Sequence, residues 1–206
     1  MNDETLAATR RSLHAVAELL IAGPQHRLHQ TIRLAVDSDG IGGKILPIRI
    51  EGAELVWPEG RAPLTGTYRE LAQLAGVEPG VAEGVYADTT GVSLDEPLSV
   101  DPAAAALVLG WFAMGDKALR TFAPTEEPVL WPEHFDLGIA VDEVNYGISP
   151  GDSGIATPYA YVGPWTPQIG PFWNESFGAA RTVDDLPSVE SIVAFFEDGK
   201  DSVKRV

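Results

Sequence analysis

Residues 134–141 read His-Phe-Asp-Leu-Gly-Ile-Ala-Val. Phe135, Leu137, Ile139 and Val141 alternate with His134, Asp136, Gly138 and Ala140. A period of two residues is that of a β-strand with one face in a core. The neighbouring sequence extends the reading. Tyr159 to Gly163 is a further strand, Asn145 to Gly154 is turn-rich, and Pro164 to Gly178 is an ordered loop packed by its own aromatic rings. Towards the N-terminus, Ile32, Leu34 and Val36 alternate with His29, Thr31 and Arg33. Leu46, Ile48 and Ile50 form another strand, and Glu54–Trp57 follows after a Glu51-Gly52 turn.

Helical spacing appears between these strands. Leu6, Leu13, Val16, Ala17 and Leu20 share one face of a helix over 5–22, with Gly23-Pro24 as its stop signal. Thr67 caps a short helix to Ala75. Asp101-Pro102 opens the most regular helix, whose stripe is Ala104, Val108, Trp111, Phe112, Gly115, Leu119 and Phe122. Gly110 and Gly115 lower its propensity, which points to close packing against another element. Ser188 caps a last helix over 188–198, ended by Gly199. The expected fold is a single α+β domain over 1–206. Its antiparallel sheet would have about five to seven strands, with helices packed mainly on one face. The 77–100 connection is long enough to expect a role for it.

Composition excludes several function classes. The chain of 206 residues has no cysteine, so thiolate metal sites, disulfides and cysteine nucleophiles are ruled out. A net charge of −16 disfavours nucleic acid and anionic membranes. No apolar run is long enough to span a bilayer, and Met1-Asn2-Asp3-Glu4 is acidic where a secretory signal is basic, so a cytoplasmic location is expected.

Most motifs fail on inspection. Gly40-Ile41-Gly42-Gly43-Lys44 has Ser38 where a phosphate loop needs its first glycine, and Ile45 where it needs Ser or Thr. It reads as a hairpin turn between strands. Gly151-Asp152-Ser153-Gly154 continues with Ile155 where a chymotrypsin-like loop has a second glycine. Asn174 takes the place of the first glycine of a nucleophile elbow around Ser176. A serine hydrolase using Ser153 or Ser176 is therefore the least favoured reading. No nucleotide-binding motif and no zinc helix are present, so no cofactor is evident.

One constellation survives. His134 and Asp136, two apart on the expected strand, leave the same face as the small Gly138 and Ala140, which leave space above the sheet for a ligand or a closely packed helix. A carboxylate beside imidazole fixes its tautomer and suits a general base or metal ligand. Glu143, Asn145, Tyr146 and Asp152 lie in the following turn region. His29 and Arg33 would join if their strand lies alongside, completing an oxygen-and-nitrogen set suited to a metal. Tyr161, Trp165 and Trp173 supply aromatic walls. The leading reading is thus a small-molecule-binding protein or enzyme around His134 and Asp136. The alternative is a non-catalytic homo-oligomer joined through 164–173, since Trp and Tyr anchor interfaces.

Trp131-Pro132-Glu133-His134-Phe135-Asp136, Asn145-Tyr146-Gly147-Ile148-Ser149-Pro150-Gly151-Asp152 and Pro158-Tyr159-Ala160-Tyr161-Val162-Gly163-Pro164-Trp165 resemble a family of uncharacterised actinobacterial proteins of unknown function. The resemblance extends along most of the chain, including His29 to Leu34. It implies a shared design, with no activity or catalytic residues attached.

Overall fold

A computed structural model describes residues 2–203. The N-terminal helix does not stop at Gly23-Pro24. Helix α1 (Asp3–Val16) runs into a π-helical stretch, Ala17–Ala22, and on into α2 (Gly23–His29). Proline has no N–H and breaks the ordinary ladder. Here the wider π turn absorbs it: Gly23 N–H reaches five residues back to the Glu18 carbonyl. The Leu19 carbonyl, which Pro24 leaves without a helical donor, accepts the Gly80 N–H at 2.9 Å. Gly23 serves close approach, since a Cβ there would lie 1.7 Å from the Gly80 carbonyl oxygen.

The expected strand over 29–36 shrinks accordingly. His29 ends α2, and only β1 (Leu34–Val36) is extended and paired. The fully buried Gln25 explains this. Its amide donates to the carbonyls of Thr31 (3.2 Å) and Arg33 (2.8 Å), and its oxygen accepts from Ile45 and Leu46 N–H (2.8 and 3.1 Å). Those backbone groups are thereby withdrawn from a ladder.

The sheet is antiparallel, as expected, but it has ten strands, not five to seven. Beyond β1 they are β2 (Ile41–Gly43), β3 (Arg49–Glu51), β4 (Glu54–Trp57), β5 (Gly60–Pro63), β6 (Val129–Trp131), β7 (Asp136–Val141), β8 (Val144–Ser149), β9 (Tyr159–Pro164) and β10 (Ala179–Thr182). Ile41–Gly43, read as a hairpin turn, is a strand paired on both sides, because Gly40 makes the turn one step earlier. A Cβ at Gly40 would sit 1.9 Å from the Ile50 carbonyl oxygen, and its φ of +156° favours glycine. Asn145–Ser149, read as turn, belongs to β8; the true turn is Asp142-Glu143, both at positive φ (50° and 63°), closing a two-residue hairpin.

The chain divides into two compact units. The first comprises Met1–Gly110 and Leu130–Phe135. Its strands run in the order β6-β1-β2-β3-β4-β5, with Leu13, Val16, Leu20, Leu34, Ile41 and Ile50 in its core. Helix α3 (Tyr68–Ala75) has the expected Thr67 cap, completed by Glu70 as a capping box. The second unit comprises Trp111–Val129 and Asp136–Val206, with strand order β10-β9-β8-β7.

Helix α4 (Pro102–Phe122) contributes to both units, and Asp101 caps it through Ala103 and Ala104 N–H. Its Gly115 is a packing glycine: a Cβ there would lie 2.2 Å from Ile148 Cγ1. Gly110 is exposed, and a Cβ there meets no atom of the described residues within 4 Å. Helix α5 (Val189–Ser202) has the expected Ser188 cap but passes through Gly199, whose lack of a side chain admits Val162. No helix among the described residues is long and apolar enough to cross a membrane.

Candidate functional site

The residues chosen from sequence are divided between the two units, His29, Arg33 and His134 in the first and the others in the second. His134 is not on a strand. It is exposed in the 132–135 turn, where Phe135 takes a φ of 52°, and β7 begins only at Asp136. The alternation was real from Asp136 onward, but its first step is a turn.

Asp136 belongs to the second unit, where its carboxylate accepts a hydrogen bond from the Tyr161 hydroxyl. The space expected above Gly138 is filled by that same tyrosine. Gly138, Gly147 and Tyr161 are cross-strand neighbours on β7, β8 and β9. A Cβ at Gly147 would lie 2.3 Å from Tyr161 Cζ, and one at Gly138 would lie 3.1 Å from its hydroxyl. The glycines form a shelf for a ring of the chain itself. Burial first, then the charge of Asp136, pushes the Tyr161 phenol well above its ordinary value, so it remains a donor.

The other second-unit candidates each meet partners within the chain. Tyr146 is buried against Phe122 (4.6 Å between centroids) and Phe196 (5.7 Å). Asn145 accepts from Trp165 Nε1 at 3.1 Å, and the Glu143 carbonyl accepts from Trp165 N–H at 2.9 Å. Asp152 closes its own turn through Gly154 and Ile155 N–H and accepts from the Tyr159 hydroxyl at 2.6 Å. Trp173 meets Phe172 edge-on at 4.9 Å. Ser153 and Ser176 are exposed, and the second unit's sequence contains no histidine.

In the first unit His29 is exposed at the end of α2. Arg33 is exposed with its guanidinium 5.9 Å from the Trp131 ring centre. Among the described residues, no group of three or more His, Asp or Glu side chains is placed to hold a metal ion.

A different constellation lies in the first unit, on the helix rather than the sheet. Glu18 sits in the π-helical stretch with no solvent exposure. Its Oε2 accepts from Thr90 N–H (3.1 Å) and Thr90 Oγ1 (2.5 Å). Its Oε1 makes no hydrogen bond of regular geometry. Among the described residues, the buried side-chain oxygens lacking one are Glu18 Oε1, Tyr86 Oη and Tyr68 Oη. Two of them meet: burial raises the Tyr86 phenol above its ordinary value, and the charge of Glu18, a hydrogen bond from the phenol to that carboxyl and the charge of Glu133 raise it further.

His14, one turn before Glu18, stacks on Phe135 (5.0 Å, 7° between planes). Its Nε2 lies 2.6 Å from the Pro132 carbonyl oxygen, which can only accept, so Nε2 carries the proton. Burial lowers the His14 pKa most strongly; Glu18 opposes this, while His134 and Arg10 add to it. His14 is therefore a neutral imidazole held in one tautomer.

Both Tyr86 and Thr90 come from the long 77–100 connection. Gly84 and Gly91, with φ of 75° and 65°, bracket them. The connection is pinned by Gly80 N–H on Leu19 and by Arg27, which donates to the carbonyls of Glu78 and of Val81 (3.4 Å). Beside these pins lies an open cavity of about 430 Å³ lined by His26, Arg27, Gln30, Glu78, Val81 and Glu83.

Sequence reading missed Glu18 because it takes a helix position that carries no motif. Its one available signal was a carboxylate directly beside the apolar stripe of the first helix. Compared with known proteins, the chain matches no family model, no curated protein and no solved structure.

Proposed function

We propose that this is a small-molecule-binding protein whose site lies in the first unit, at Glu18, Tyr86 and His14 beneath the 77–100 connection. His14 is its acid–base group. The observation that carries this reading is the fully buried Glu18 carboxyl, held by Thr90 through one oxygen and set against the Tyr86 hydroxyl, beneath the 77–100 connection. A carboxyl is rarely buried completely, because taking it out of water is costly. The π-helical turn beneath Glu18 fits, since such turns concentrate at functional sites. His134 remains part of the surroundings, because it acts electrostatically on His14. The motif resemblance to an actinobacterial family adds no chemistry to this reading.

The test is a thermal-shift screen of small polar metabolites against the wild-type protein, Glu18→Gln and His14→Gln. At least one compound should stabilise the wild type and lose its effect in Glu18→Gln. A screen with no shift, or shifts equal in all three proteins, removes the proposal.

A second reading has its own support. In the aromatic loop Trp165, Ile169 and Phe177 are 63%, 91% and 43% exposed. An interface between copies of the chain would cover them. Light scattering that shows a monomer at every concentration disposes of this reading.

A further inference from the structure

Beyond the Glu18 site and independent of it, we infer that the open cavity lined by α2 and residues 78–83 of the first unit binds a small zwitterion of the amino-acid class, its carboxylate on Arg27 and its ammonium on Glu78 and Glu83. The volume of about 430 Å³ falls within the roughly 300–1,000 Å³ of small-molecule sites. His26, Arg27, Gln30, Glu78 and Glu83 bring polar side chains to the lining, so the occupant is polar.

The charges of the lining select the ligand. Arg27 comes from α2 and the two glutamates from the 77–100 connection. They line one cavity, yet among the described residues neither glutamate forms an ion pair with Arg27. The guanidinium is turned to the backbone instead: Nη2 donates to the Glu78 carbonyl and Nη1 to the Val81 carbonyl at 3.4 Å. A guanidinium has five N–H bonds, so two are given to the chain and three remain, on a fork already held in place. The segment bearing the glutamates is fixed as well, by the Gly80 N–H on the Leu19 carbonyl at 2.9 Å. At the end of α2 Gln30 takes a φ of 57° and donates to the His26 carbonyl through its backbone N–H (2.9 Å) and its side-chain Nε2 (3.2 Å). Its amide oxygen is a further acceptor in the lining.

A purely anionic ligand, such as a phosphate, would meet two carboxylates. A purely cationic one would meet the guanidinium. A molecule with both charges bridges groups of opposite sign that the fold keeps apart, and each of its ends gains a charge-assisted hydrogen bond. A metal ion is not the occupant that fits, because among the described residues no three His, Asp or Glu side chains are placed to hold one.

The experiment screens the common α-amino acids by thermal unfolding of the full chain. The strongest hit is then titrated by calorimetry beside its N-acetyl derivative, which lacks the ammonium, and its α-amide, which lacks the carboxylate. The zwitterion should bind, and each derivative should bind at least about tenfold more weakly, as expected for loss of a charged hydrogen bond. Glu78→Gln with Glu83→Gln should weaken the zwitterion by a similar factor and bind the N-acetyl derivative better than the wild type does. Arg27→Gln should weaken the zwitterion and spare the α-amide. Circular dichroism checks folding. Should Arg27→Gln fail to fold, the glutamate pair decides, since both residues are exposed.

No binding by any amino acid overturns the inference. So do derivatives that bind as well as their parent, and zwitterion binding that ignores the glutamate pair. Glu18→Gln separates the two sites, because zwitterion binding should persist in it. Binding lost in Glu18→Gln but kept in the glutamate pair variant overturns this cavity and supports the Glu18 site. If amino acids fail while other metabolites bind in a Glu18-dependent way, this inference falls and the Glu18 reading stands.

Discussion

Gly110 and Gly115 stand on the same helix, and replacing each by alanine should move stability in opposite directions. A helix-interior Gly→Ala change gains about 0.8–1.0 kcal/mol of intrinsic propensity. At Gly110 a Cβ meets no described atom within 4 Å, so the whole gain should appear. For a chain of this size, that raises the melting temperature by about 2–4 °C.

At Gly115 the same Cβ would lie 2.2 Å from Ile148 Cγ1 and 3.0 Å from Ile148 Cβ and Cδ1. Ile148 is fully buried on β8 and β-branched, hence stiff at χ1. The clash is with the root of the side chain rather than its tip, which places the cost near the top of the roughly 1–3 kcal/mol range for overpacking. Subtracting the propensity gain leaves a net loss of about 2 kcal/mol. Urea unfolding followed by far-ultraviolet circular dichroism measures both variants. In an Ile148→Ala background, where Cγ1 and Cδ1 are gone and only the Cβ remains at 3.0 Å, the cost of Gly115→Ala should shrink by most of its value. Gly115→Ala that stabilises the wild-type background as much as Gly110→Ala does would refute the packing argument.

Three further outcomes follow from other parts of the structure. His14 is held below its ordinary value by burial, so the unfolded chain takes up its proton first as pH falls. Its contribution is complete above about pH 6.5 and lost on the acid side; His14→Gln, which keeps an N–H for Pro132, should flatten that limb of the stability–pH curve, and an unchanged limb contradicts the assignment. Tyr161→Phe should cost about 1–3 kcal/mol in chemical unfolding by leaving Asp136 without its phenol donor, and a loss below about 0.5 kcal/mol would show that the bond contributes little. On β10 the Ala180 N–H is taken by Asn174 (3.1 Å) and the Thr182 N–H by Asp185 (3.3 Å), so Asn174→Ala with Asp185→Ala should produce concentration-dependent association in sedimentation, and unaltered sedimentation argues against edge protection.

How far the sequence could be read depended on how local each signal was. The caps at Thr67, Asp101 and Ser188 were legible because a cap is decided by a side chain and the N–H groups two or three residues on. The strands β4, β7 and β9 were legible from alternation over several residues. Strands β2 and β5 were not, because Ile41-Gly42-Gly43 and Gly60-Arg61-Ala62-Pro63 are too short and too rich in glycine and proline to show a period. Gly199 read as a stop because its packing partner, Val162, is distant in sequence. At Gly138 the expected space above the sheet is filled. That the visitor is Tyr161 depends on register across β8, which no single strand displays.

The candidate site was illegible for a related reason, and Pro24 shows it most directly. Read locally, Gly23-Pro24 ends a helix. In the fold the missing N–H of Pro24 is what frees the Leu19 carbonyl to bind Gly80, and the absent side chain of Gly23 is what lets Gly80 approach. The 77–100 connection is thereby anchored one residue from Glu18, within reach of Thr90 and Tyr86. A proline that costs the helix one hydrogen bond thus fastens the segment that buries a carboxyl. Neither half of that exchange has meaning without the other, and they are more than fifty residues apart in sequence. The chemistry proposed for Glu18 depends on the same exchange, since a carboxyl at that helix position without the connection over it would be solvated and unremarked.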